Sequence, residues 1–263
     1  MSQKKVSADG IKELLKIPSK VSCYDKLNST NILAKSKAAE GAAEGEIIVA
    51  LSQTNGRGRM GRSFYSPKAS GIYFSIVLRP KINAEDISLI TPVAAVAVAR
   101  AIEDITEKSP KIKWVNDIFL NDKKVCGILS EAVFGADGSA EYVILGIGIN
   151  LVTPKSGYPE DIKNIAGSLF AEDENFDANL LVASTVNNFF ELYGDLKSQS
   201  TLEQYQKRMM LVAKNINYTQ NGIQKSGIAE GIDERFRLIV KSDLGEIIHL
   251  QSGEVTIGSN NLK

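Results

Sequence analysis

The chain is predicted to be α+β: a mixed, mainly antiparallel sheet with helices on one face, followed by a small C-terminal β-barrel. Three observations carry that prediction. Between residues 111 and 149, β-branched runs are separated by the turn signals Asn121-Asp122 and Asp137-Gly138 at hairpin spacing, which joins neighbouring strands antiparallel. Apolar residues at helical spacing over 86–106, 180–196 and 202–211 supply helices to cover one side of such a sheet. From about Asn215 the pattern changes to short alternating segments divided by turn residues, the mark of a separate all-β module.

In chain order, residues 7–16 place Ile11, Leu14 and Leu15 on one helical face, and Pro18 ends the pattern. A DNA-reading helix-turn-helix needs at least two helices and a turn. Residues 1–20 hold only this short helix, so no winged helix is expected there. Asn28-Ser29-Thr30-Asn31 then precedes Ile32, Leu33 and Ala34, a capping cluster opening a helix that fades at Gly41. The free amides of such a start suit an anion or polar ligand as well as a plain cap. Residues 47–51 and 72–78 read as strands, and 86–106 as a helix buried on more than one side. Residues 111–115, 118–120, 125–132 and 141–149 read as strands, with 121–124 as a hairpin turn. In the C-terminal module, 216–218, 226–228, 238–240, 247–248 and 255–257 read as strands, with turns at Asn221-Gly222, Asp243-Leu244-Gly245 and Ser252-Gly253.

Gly56-Arg57-Gly58-Arg59-Met60-Gly61-Arg62 is the segment richest in chemistry. Glycine lets a backbone approach a ligand closely, and guanidinium groups match phosphate and carboxylate oxygens. The letters also satisfy G-x-G-x-x-G, but a dinucleotide loop opens a helix and meets an acidic residue about 20 positions later. Here a strand follows, and Ile76, Val77, Leu78 and Arg79 occupy that distance. The P-loop pattern fails as well, because no Lys-Ser or Lys-Thr follows the last glycine.

Composition sets the outer bounds. Thirty-one acidic and 31 basic residues balance, which excludes a nucleic-acid footprint over the whole surface. Cys23 and Cys126 are too few for a disulfide framework, and no apolar run is long enough to span a bilayer. The start Met1-Ser2-Gln3-Lys4-Lys5 lacks a secretory core, so a cytoplasmic location is expected. The single histidine, His249, lies in an alternating segment and reads as a strand residue.

Four clusters stand in a fixed order: Ser29-Thr30-Asn31; Gln53 with the glycine-arginine loop; Lys113-Trp114-Val115-Asn116-Asp117; and Gly146-Ile147-Gly148-Ile149-Asn150. Taken singly, each has a structural explanation as cap, turn, core or close backbone packing. In this order they closely resemble the biotin protein ligases, from about Val21 to the end of the chain. Two departures are visible. Val115 stands where the family pattern has proline, and Phe64 where many relatives have tryptophan.

The resemblance implies a class II aminoacyl-tRNA synthetase/biotin ligase-like catalytic domain at 21–212 and an SH3-like barrel at 213–263, in a monofunctional enzyme without DNA binding. It implies biotin and ATP as substrates and Mg2+ as the metal. The product would be biotinyl-5′-AMP, passed on to a lysine of a biotin carboxyl carrier protein or domain. Lys124 and Arg59 are the expected catalytic residues. Ser29, Thr30, Asn31, Gln53, Arg57, Gly58, Arg59, Lys124, Gly127 and Leu129 are expected to bind biotin. Arg59, Arg62, Phe64, Lys113, Asn116 and Asn150 are expected to bind the nucleotide, with Asp117 the metal ligand. A loop so rich in glycine and like charge is expected to be mobile when empty. A homodimer through a sheet edge near the Gly138 turn is the further partner expectation. A lipoate ligase, an arginine-glycine nucleic-acid contact and a silent biotin sensor remain as alternatives. Gln53 and the full arginine loop favour biotin, the neutral chain disfavours nucleic acid, and the intact Lys113, Asp117 and Lys124 favour turnover.

Overall fold

The computed structural model describes residues 5–220 and 222–258. Residues 1–4, read above as lacking a secretory core, Asn221 of the predicted turn, and 259–263 of the predicted barrel lie outside the described residues. Among the described residues, seven strands form the main sheet: β1 (Val21–Tyr24), β2 (Ile47–Ala50), β3 (Gly71–Leu78), β4 (Lys111–Lys113), β5 (Asp117–Leu120), β6 (Lys123–Phe134) and β7 (Ala140–Asn150). Their order is β1-β2-β3-β7-β6-β5-β4. Only β1 and β2 pair parallel, and every other neighbouring pair is antiparallel, which makes the sheet mixed as expected.

Strand alternation divides β7 between two environments. Val143, Leu145, Ile147 and Ile149 join the main core with α3 (Ile90–Thr106) and α4 (Ala178–Tyr193). In α3, every residue from Ile90 to Ala99 is buried, so this part of the helix is core on all sides. The helices α1 (Ala8–Lys12) and α5 (Gln199–Arg208) pack against α4 and α3 on this side. One helix takes the opposite face. Ala34 and Ala38 of α2 (Thr30–Ala39) pack on Ile48, Val77 and Ile144. Beyond Ile144 that face of β7 continues as Gly146 and Gly148, which leaves a floor without side chains beside the start of α2.

Local departures from the sequence reading have tertiary causes. The first helix stops at Lys12 instead of running to residue 16. Its continuation is held by Asn187 of α4, which accepts from Lys16 N at 2.8 Å and donates to Leu14 O at 2.9 Å. Strand β1 gives no alternation in the sequence because it is four residues long and only Val21 is buried. Asn121 and Asp122 both have positive φ, 49° and 59°, so they complete the turn alone and Lys123 and Lys124 begin β6. Residues 84–89 form a 3-10 turn ahead of α3. The Trp114–Val115 peptide is cis, at the position where the family pattern carries proline.

The C-terminal module is a five-stranded antiparallel sheet of β8 (Asn215–Gln220), β9 (Ile223–Ile232), β10 (Leu238–Ser242), β11 (Ile247–Leu250) and β12 (Val255–Ile257), ordered β11-β10-β9-β8-β12. It agrees with the SH3-like expectation, and all five predicted strands are present.

Candidate active site

Sixteen residues enclose a cleft of about 460 Å³ over the glycine floor. Its walls come from the start of α2 (Ser29, Thr30, Asn31), from Gln53, from the loop (Arg57, Gly58, Arg59, Phe64), and from Asn116, Lys124, Gly127, Ile128, Leu129, Gly146, Ile147 and Gly148. The glycines are required by what lies on them. A methyl group at Gly146 would meet Asn31 Oδ1 at 2.1 Å, and one at Gly148 would meet the Phe64 ring at 2.7 Å.

Amide and hydroxyl groups at one end of the cleft are fixed by each other. Thr30 N donates to Gln53 Oε1 at 2.8 Å, and Gln53 Nε2 donates to Ser66 Oγ at 3.0 Å, which sets the amide orientation of Gln53. Ser75 Oγ donates to Asn31 Oδ1 at 2.6 Å and lies 2.7 Å from Thr30 Oγ1. Ser29 occupies the N-cap position without a side-chain capping bond, so its hydroxyl, in a buried residue, faces the cleft wall uncommitted to the helix. A buried hydroxyl of that kind is a ready partner for a polar ligand.

Cationic groups gather at the other end. Arg59 Nη1 donates to Asn116 Oδ1 at 3.0 Å, Arg57 pairs with Glu131 at 3.1 Å, and Arg62 pairs with Glu254. Every loop arginine therefore rests on an acceptor of the protein itself. Lys124 Nζ lies 2.7 Å from Asp117 Oδ1 and 6.0 Å from the centre of the Phe64 ring. Burial pushes the Arg59 guanidinium and the Lys113 ammonium below their ordinary values, against the pull of Asp117. Groups desolvated in this way have least water to displace when an anion arrives.

A second, more polar cavity of about 670 Å³ adjoins the first. Arg62, Lys113, Trp114, Asp117 and the C-terminal residues Gly253, Glu254 and Val255 line it, and Gly58, Arg59, Phe64, Asn116 and Lys124 line both. Among the described residues no group of three or more His, Cys, Asp or Glu side chains is placed to hold a metal ion. Asp117 receives Lys124 and Asn116 Nδ2 on the same oxygen, Oδ1. A single carboxylate of this kind suits Mg2+ that arrives on phosphate oxygens, the usual way this ion is held.

The expected biotin residues all fall on the first cavity, and Arg59, Arg62, Phe64, Lys113, Asn116 and Asp117 all line the second. Asn150 does not join them. Its Nδ2 donates to Gly167 O at 2.9 Å, so it ties β7 to the following connection, and it lines neither cavity. Strand alternation keeps Asn150 on the face of Gly146 and Gly148, one step beyond the glycine floor. Sequence reasoning passed over Glu131, Ser75, Ser66 and Glu254. Each acts through a contact distant in sequence, such as Asn31 with Glu131 at a separation of 100, for which spacing gives no signal.

The profile of the Biotin/lipoate A/B protein ligase family matches residues 22–150. The bifunctional ligase/repressor BirA of Bacillus subtilis (strain 168) is 34% identical over 240 residues, covering 89% of this chain and 73% of that protein. The biotin–[acetyl-CoA-carboxylase] ligase of Paracoccus denitrificans is 28% identical over 89% of this chain and 98% of its own length. A solved structure, the biotin protein ligase from Aquifex aeolicus in complex with biotin and ATP, superposes with a TM-score of 0.74 at 28% identity, over 91% of this chain and 98% of that one. The chain belongs to the biotin protein ligases and is a biotin ligase enzyme.

Proposed function

We propose that the enzyme joins biotin to ATP as biotinyl-5′-AMP and then passes the biotinyl group to a specific lysine of a biotin carboxyl carrier protein or domain. The observation that carries this reading is that Arg59, Asn116 and Lys124 line both cavities. A carboxylate held in the first cavity and a phosphate held in the second meet at these groups, and the repulsion between the two anions is offset there. The Aquifex relative is in complex with biotin and ATP, and the Paracoccus relative is named for an acetyl-CoA-carboxylase target, which supports the same substrates here.

In the first step a biotin carboxylate oxygen attacks the α-phosphorus and pyrophosphate leaves. In the second a lysine amine attacks the acyl carbon and AMP leaves. Ser29, Thr30, Asn31 and Gln53 hold the ureido and thiophene end, while Gly127 and Leu129 line the same pocket. Arg57, Gly58, Arg59 and Lys124 receive the carboxylate, and Arg59, Arg62, Phe64, Lys113, Asn116 and Asn150 receive the nucleotide. Lys124 Nζ, released from Asp117, stabilises charge on the transferring phosphoryl oxygens. Asp117 would hold Mg2+ together with the phosphates, where the ion supplies charge neutralisation of the polyphosphate. No enzyme nucleophile is needed, and exclusion of water protects the anhydride.

We also assign residues 21–212 to the catalytic domain and 213–263 to the barrel, and place the enzyme in the cytoplasm. No helix among the described residues is long and apolar enough to cross a membrane. Pairing with a second copy near the Gly138 turn is the proposed assembly, read by ultracentrifugation with and without biotinyl-5′-AMP. The decisive test of function is transfer of labelled biotin to a carboxylase carrier domain with ATP and Mg2+. Incorporation supports the proposal; incorporation of lipoate in place of biotin would redirect it, and neither would end it.

A further inference from the structure

Glu131 stands on β6 two residues beyond Leu129, so strand alternation puts it on the same face as Gly127 and Leu129 at the edge of the first cavity. Its carboxylate is divided between two elements. Oε1 lies 3.1 Å from Arg57 Nη1 in the loop, and Oε2 accepts from Asn31 Nδ2 at 2.7 Å at the start of α2. The pair is partly shielded, with the Glu131 side chain 24% exposed against 46% for Arg57. Asn31 is buried, and its amide oxygen is already taken by Ser75.

We propose that Glu131 is a positioning residue for the acid substrate, setting Arg57 of the loop and Asn31 of α2, which both line the first cavity, through a single carboxylate. The inference rests on the reading of the first cavity as the biotin site. Its chemistry is specific. Both partners are donors, and a carboxylate alone among side chains of this length offers an acceptor oxygen to each. A glutamine would satisfy one partner with Oε1 and turn its own Nε2 donor against the other. Either Arg57 is then released into solvent, where its entropy must be recovered on binding, or the Asn31 amide loses the partner that fixes its orientation. Oε1 lies against Nη1, and a guanidinium carries five N–H donors, so Glu131 can hold the group and still leave donors for a ligand carboxylate. The nucleotide cavity is lined by neither Glu131, Arg57 nor Asn31, so the effect belongs to the acid and not to ATP.

The test is the full-length Glu131→Gln variant, isosteric and partly exposed, compared with wild type in two measurements. Calorimetric titration with biotin is expected to show affinity lowered about tenfold, the size of one charge-assisted contact at a half-exposed site. Biotin-dependent ATP–pyrophosphate exchange is expected to show KM for biotin raised by the same factor, with KM for ATP within twofold and kcat changed far less. Biotin affinity within twofold of wild type would overturn the inference. A parallel rise in both KM values with a fall in Tm would also overturn it, since that is the signature of general loosening. If wild type itself fails to bind biotin, the assignment of the cavity falls first and this inference with it.

Discussion

At the scale of the residue, the site separates groups that carry charge to the reaction from groups that shape the cavity. Lys124 and Arg59 are assigned to the first kind in the proposed reaction, because each lines both cavities and each is held on a neutral or anionic partner that a phosphate would replace. Lys124→Ala and Arg59→Ala are each expected to lower adenylation by roughly 100-fold or more, the size of one lost electrostatic donor at a transition state. Biotin-dependent ATP–pyrophosphate exchange measures it, and near-normal exchange in both variants would refute their assigned role. Gly146 belongs to the second kind. A Cβ there would lie 2.1 Å from Asn31 Oδ1, and Asn31 cannot retreat without breaking its bonds to Ser75 and Glu131. Gly146→Ala is expected to cost about 1–3 kcal/mol of overpacking and to lower biotin affinity at least tenfold, read by melting and by calorimetry. Most of these residues were legible in the sequence because the ordered clusters that hold them resemble the biotin protein ligases. Their pairings were not. Whether Lys124 rests on Asp117, or Arg57 on Glu131, depends on which strands lie side by side.

At the scale of the element, the fold was most legible where periodicity is long. The α3 pattern and the β6–β7 hairpin follow from apolar runs and turn residues, whereas β1 is too short to alternate visibly and α1 ends early because Asn187 binds the chain that follows it. The turn between β9 and β10 shows a polar element that no pattern announces. Asp233 accepts from Arg235 N and Arg237 N at 3.0 Å and from Arg237 Nε at 2.6 Å, and His249 Nδ1 lies 2.8 Å away. Burial alone would raise the Asp233 carboxyl, but the hydrogen bonds from His249, Arg237 and Arg235 outweigh it and hold the group below the usual aspartate range. A depressed folded pKa means stabilisation that is complete above the unfolded value and is lost as pH falls through the folded one. The Tm of Asp233→Asn is therefore expected to lie below that of wild type at neutral pH, and the gap to narrow as pH is lowered past the ordinary aspartate range. Paired thermal melts from pH 7 to pH 3 measure it, and a gap that widens in acid would reject the role of this turn.

At the scale of the whole molecule, the small C-terminal module is part of the site wall, because Gly253, Glu254 and Val255 close the second cavity and Glu254 pairs with Arg62. What seats the module is a short list of contacts made by its β9–β10 turn. Trp114 Nε1 donates to Phe236 O at 2.8 Å, the Phe236 ring lies edge-on to Tyr205 with centroids 5.4 Å apart, and Arg235 pairs with Asp86, which also receives Lys197. Trp114 is thus flanked by Lys113 and lies two residues from Asn116, both lining the second cavity, while its indole nitrogen holds the other module. Trp114→Phe keeps an aromatic ring in the core but leaves the Phe236 carbonyl without its donor, at a cost of about 1–3 kcal/mol. In a chain of this size each kcal/mol moves Tm by roughly 2–4 °C. If the module only adds stability, Tm falls and the substrate constants stay as they are. If it also forms the wall, KM for ATP rises at least threefold while KM for biotin, whose cavity the module does not line, remains within twofold. The second outcome is expected, and ATP–pyrophosphate exchange measured below the melting transition, with each substrate varied in turn, separates the two.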